Sequence, residues 1–128
     1  MENKSSTEVV IATRDDLKYT LKSSSAEYTM LKFHADWCAP CKGIAPLVHD
    51  LVVEKTKDMG SKFQYIEVNV DDSFDVYAFL KSKKMTKGIP TILVYKKSEY
   101  SDSTFYIPFM GVTGAKKEDI KNMFDEIN

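Results

Sequence analysis

Apolar residues recur along this chain with two alternating periods. Val9-Val10-Ile11-Ala12, Tyr28-Thr29-Met30-Leu31-Lys32-Phe33-His34-Ala35, Phe63-Gln64-Tyr65-Ile66-Glu67-Val68-Asn69-Val70 and Ile92-Leu93-Val94-Tyr95 are short runs rich in β-branched and aromatic residues. Such runs read as strands. Between them the spacing changes to three and four. Cys41, Ile44, Ala45, Val48, Leu51 and Val52 fall on one face of a helix that opens near Pro40. Thr13 is placed to cap an earlier helix reaching about Ser23, with Asp15 and Asp16 in its first turn. Phe74 to Lys83 turns Val76, Phe79 and Leu80 inward, and Ala115 to Ile127 does the same with Ile120, Phe124 and Ile127. Phe105 to Phe109 reads as a last strand, confined to a sheet edge by Pro108. The order βαβαβαββα predicts an α/β domain: a central mixed five-stranded sheet with helices on both faces.

At 128 residues the chain fits one domain. Residues 1–8 read as a flexible N-terminal tail and 9–128 as the domain. Hydrophobic residues make up 43% and charged residues 29%, ordinary for a globular protein. The net charge of -1 offers no basic footprint for nucleic acid. No apolar run approaches the ~18–20 residues of a membrane span. The start, Met1-Glu2-Asn3-Lys4-Ser5-Ser6-Thr7-Glu8, lacks the apolar stretch of a secretory signal. A reducing intracellular compartment, the cytoplasm, is therefore the expectation.

The chain holds two cysteines, both in Trp37-Cys38-Ala39-Pro40-Cys41-Lys42. Two thiols separated by two residues can close a small disulfide ring, a reversible two-electron switch. Near a βαβ pattern they read as a redox site. Cys38 precedes the helix opened by Pro40, whose unpaired N–H groups and partial positive charge favour a thiolate. Lys42 is near enough to help. Cys38 is thus the candidate nucleophile, and Cys41, one turn deeper and less exposed, the candidate resolving thiol. The competing readings are an inert pair or half of a zinc site. Zinc needs about four ligands in a closed structural site. The spare donors are His34 and His49, and His49 lies eight residues beyond Cys41, so no metal is expected.

With Phe33-His34-Ala35-Asp36-Trp37, Ile44-Ala45-Pro46, Val68-Asn69-Val70-Asp71, Gly88-Ile89-Pro90-Thr91 and Gly111, the motif resembles the thioredoxin family over roughly residues 9–127. The resemblance implies a thioredoxin fold and dithiol–disulfide oxidoreductase activity, with no cofactor beyond the Cys38–Cys41 disulfide. It also implies a cis bond between Ile89 and Pro90. Trp37, Ala39 and Pro40 would flank the reactive sulfur. Ile89, Pro90, Gly111 and Val112 would complete a docking groove, where the Ile89 backbone pairs with an extended substrate. The implied partners are disulfide-containing proteins and a thioredoxin reductase or equivalent donor, with the chain a monomer.

Four positions depart from the family pattern. Lys32 stands where a buried acid is usual, and Glu67 where a lysine is usual, as though the pair were kept with its charges exchanged. One reading is a partly buried Lys32–Glu67 ion pair beneath Cys41; the other sends the Lys32 stem outward and leaves Glu67 solvated. His34 replaces a usual aromatic residue. It either tunes the site near neutrality or is simply packed and hydrogen-bonded. Ala39 replaces a usual glycine, and Ala39-Pro40 leans toward the reducing end of the family. Lys81, Lys83, Lys84 and Lys87 form either a positive docking rim or a solvated face. Two functional alternatives stay open: an isomerase- or oxidase-type domain, and a thioredoxin-fold binding module without turnover.

Overall fold

The computed structural model describes residues 9–128, so the expected tail at 1–8 lies outside the described residues. Among the described residues four α-helices and four strands follow in this order: α1 (Arg14–Ser23), β1 (Tyr28–His34), α2 (Ala39–Met59), β2 (Phe63–Asn69), α3 (Phe74–Ser82), β3 (Thr91–Lys96), β4 (Met110–Thr113) and α4 (Lys117–Asp125). They form the α/β thioredoxin fold, a mixed sheet in the order β2-β1-β3-β4. β1 runs parallel to β2 and antiparallel to β3, and β4 is antiparallel to β3.

β1 lies inside the sheet, and its first six residues are buried. Alternation along the strands divides the core in two. Leu31, Phe33, Ile66, Val68 and Leu93 pack with Leu17 and Leu21 of α1 and Val76 and Leu80 of α3. Met30, Ile92 and Val94 pack with Ile44 and Val48 of α2 and Ile120 and Phe124 of α4. Helices therefore cover both faces. The buried sheet holds the loops that follow β1 and precede β3 in place.

Two of the expected strands are absent. Val9-Val10-Ile11-Ala12 keeps its apolar alternation, with Ile11 buried and Val10 exposed, but forms no ladder. Its backbone is committed elsewhere: the Ala12 N–H donates to Asp16 Oδ2 at 3.0 Å, and the Ala12 carbonyl accepts from the Val76 N–H. Phe105 to Phe109 is a turn and coil rather than a strand. Neighbouring residues of a strand point to opposite faces, yet Phe105 and Tyr106 both pack on Phe79 of α3, with ring centroids 6.0 and 5.5 Å away. A turn is needed to bring both rings to one side. The edge strand starts only at Met110, so the sheet has four strands where five were expected.

Candidate active site

α2 begins directly after β1 because Cys38 caps it. The Cys38 sulfur accepts the Cys41 N–H at 3.2 Å, and Pro40 occupies the first turn, where its missing N–H costs nothing. The first turn carries no acidic residue, so nothing there offsets the positive helix end that favours a thiolate. Cys38 and Cys41 are joined by a disulfide across a Cα–Cα distance of 5.3 Å. In this oxidised form the sulfurs do not differ in depth as expected. Cys38 is 4% exposed and Cys41 3%.

Ala39 and Pro40 are exposed, and Trp37 is 68% exposed. The indole is nevertheless fixed, since its Nε1 donates to Asp71 Oδ2 at 2.9 Å. Asp71 is itself held at the end of β2, where its N–H donates to Asn69 Oδ1. Sequence reading noted Asp71 within a motif but missed it as the indole's partner, a pairing across 34 residues.

Ile89–Pro90 is cis, as the resemblance implied. The Pro90 carbonyl accepts the Gly114 N–H at 2.7 Å, and Thr91 pairs with Thr113. Gly111 and Val112, expected beside Pro90, lie farther along: they pair with Leu93 and Ile92. A Cβ on Gly111 would sit 2.7 Å from Leu93 Cδ2 and 3.1 Å from the Ile92 carbonyl oxygen. This glycine lets two strands approach, and Val112 packs toward the core of α2 and α4. Thr113 and Gly114 take the places beside Pro90.

An open cleft of about 170 Å³ is lined by Lys32, His34, Asp36, Cys41, Lys42 and Glu67. It gathers the unusual residues against the resolving cysteine, but the expected ion pair does not form. Lys32 and Glu67 face one another in the β1–β2 register, and Lys32 is only 4% exposed. The Glu67 carboxylate, 54% exposed, instead lies 3.7 Å from His34 Nε2 and accepts the Tyr65 hydroxyl at 2.9 Å. Drawing it under Lys32 would take a half-exposed carboxylate out of water. Burial, then the nearby Glu67 charge and the hydrogen bond to it, push the Tyr65 phenol well above its ordinary range. His34 is half-buried beside Glu67, and Lys42 is an exposed wall of the cleft. His49 is exposed on α2, away from this cleft.

The fold and the paired thiols at a helix start, with a cis proline loop beside the sheet end, define a dithiol–disulfide protein. The thioredoxin family model matches residues 8–125, and the chain belongs to the thioredoxin family. Horse thioredoxin is 31% identical over 111 residues, covering 87% of this chain and 90% of that protein. Thioredoxin of Rickettsia bellii is 28% identical over 74 residues, covering 58% of this chain; the match spans 63% of that relative's length. The solved Plasmodium falciparum thioredoxin superposes with a TM-score of 0.66 at 24% identity over 93% of this chain and 98% of that one, a likeness of fold.

Proposed function

We propose that the protein is a thiol–disulfide oxidoreductase that reduces protein disulfides. The observation that carries this reading is the Cys38–Cys41 disulfide closed on the N-terminus of α2. In the reduced form the Cys38 thiolate attacks one sulfur of a substrate disulfide. The substrate S–S bond breaks, a mixed disulfide forms, and one substrate thiolate leaves. Cys41 then gives up its proton and attacks Cys38 Sγ. The second substrate thiolate leaves, and the Cys38–Cys41 bond closes. The two electrons of the dithiol pass to the substrate, and its thiolates take protons from water.

A thioredoxin reductase or an equivalent dithiol donor returns two electrons to the closed disulfide. The chemistry needs no other cofactor. We place it in the reducing cytoplasm, acting as a monomer; the pair of cysteines that close only on each other suits a compartment where structural disulfides are rare.

The test is reduction of insulin by the chain with dithiothreitol as donor. Cys38→Ser is expected to abolish turnover. Cys41→Ser is expected to stall as a mixed disulfide that mass spectrometry detects. An inactive wild-type chain that still cycles between dithiol and disulfide would favour a binding module instead.

A further inference from the structure

The loop before Pro90 is held by a ring of hydroxyls that the reaction chemistry does not use. Thr86 and Thr91 are 4% and 0% exposed. Their hydroxyl oxygens lie 2.8 Å apart, and Thr91 Oγ1 donates to the Gly88 carbonyl at 2.5 Å. The Gly88 N–H in turn donates to Thr86 Oγ1 at 3.4 Å, and Thr86 Oγ1 also lies 3.0 Å from the Gly88 carbonyl oxygen. Each hydroxyl has one proton. One assignment serves the whole circuit: Gly88 N–H to Thr86, Thr86 O–H to Thr91, Thr91 O–H to the Gly88 carbonyl. The Thr113 hydroxyl, 3.2 Å from Thr91, supplies the remaining contact. A circuit of donors in one direction strengthens each of its bonds.

The circuit clamps both polar groups of Gly88, and the Gly114 N–H clamps the Pro90 carbonyl at 2.7 Å. Between these clamps the N–H and carbonyl of Ile89 make no hydrogen bond with the described residues. Ile89 is half-buried and beside the proline. A free backbone pair held between two fixed neighbours is what an incoming extended chain needs to add itself by main-chain hydrogen bonds. Of the three threonines only Thr86 lies outside the sheet, three residues upstream of Ile89.

We infer that Thr86 is a positioning residue, whose buried hydroxyl fixes the Ile89 backbone for docking of an extended, disulfide-bearing polypeptide. This rests on the disulfide-reductase reading above. Removing the hydroxyl opens the circuit and leaves Gly88 N–H without an acceptor, so the Ile89 backbone samples orientations that do not pair. Affinity for the docking chain falls, while the thiol chemistry on α2 is untouched.

The test is Thr86→Val, which keeps the shape and removes the hydroxyl, set beside Thr86→Ser, which restores it. KM for insulin is expected to rise about tenfold in the valine variant, the order of one lost hydrogen bond, with kcat unchanged; the serine variant is expected to return KM to the wild-type range. The Cys38–Cys41 equilibrium with glutathione is expected to change less than about twofold, because no charge near the sulfurs has moved. Amide NMR of both variants gives a reading independent of turnover: the Gly88 and Ile89 resonances are expected to shift with valine and return with serine. Unmoved resonances, an unchanged KM, or a defect that serine does not repair would each overturn the inference. A wild-type chain that does not reduce insulin would overturn the reductase reading alone, leaving the amide shifts to judge Thr86.

Discussion

Lys32 is the residue whose chemistry differs most from its surroundings. It is buried on the central strand and forms one wall of the cleft that Cys41 also lines. An ammonium group near a thiol favours the thiolate, so its removal must raise the pH at which that thiol ionises. Lys32→Met is expected to move the pH midpoint of disulfide reduction upward, read from insulin turnover against pH. An unchanged profile would remove Lys32 from the chemistry. Glu67 and His34 line the same cleft, 3.7 Å apart. That contact was not legible in the sequence, which paired Glu67 with Lys32 by analogy of position. The two residues do face one another across the strands, but solvent reaches Glu67 and not Lys32.

At the scale of the element, α1 shows how short-range chemistry sets a boundary. Thr13 caps the helix and accepts the Asp16 N–H at 3.1 Å, while the Asp16 carboxylate accepts the N–H groups of Ala12 and Thr13. These hydrogen bonds hold Asp16 below its ordinary carboxylate range. A depressed folded-state value means the stabilisation is present above the unfolded value and is lost as pH falls through the folded one. Asp16→Ala is expected to lower the melting temperature by about 2–5 °C at neutral pH. The difference is expected to close as pH falls through the lowered folded-state value of Asp16, as calorimetry across pH would show.

β4 is governed differently. It is four residues long, and its approach to β3 depends on Gly111 having no side chain. Gly111→Ala is expected to cost about 1–3 kcal/mol, measured as a lower urea midpoint. Helix α1 could be read from the sequence because its cap and first turn are local. The start of β4 could not, because Phe105 and Tyr106 are drawn to Phe79 on a distant helix.

For the whole molecule, stability comes from two cores held apart by one sheet. Phe33 is fully buried on the side of α1 and α3, 6.3 Å from the Tyr77 ring. Phe33→Ala is expected to cost about 3–5 kcal/mol, a large share of the about 5–15 kcal/mol typical of a whole domain. Denaturant unfolding would show it as an early midpoint, with Thr104→Ala on the exposed outer loop as the control expected to move little.

The sequence by itself determined the helices, the two interior strands, the parallel-plus-antiparallel sheet and the dithiol at a helix start. Each rests on information within a few residues: a period of apolar positions, a cap, a proline at a first turn, two cysteines three apart. Only the tertiary structure decided that Val9 to Ala12 feeds a cap and α3 instead of a ladder, that Trp37 is tied to Asp71, and that Gly114 and not Gly111 meets Pro90. It also decided that Glu67 turns to His34 and that Thr86 closes a ring on Gly88. These are choices among partners of similar chemistry at long separation. They follow from which groups the packed core leaves within hydrogen-bond reach and which it leaves to water.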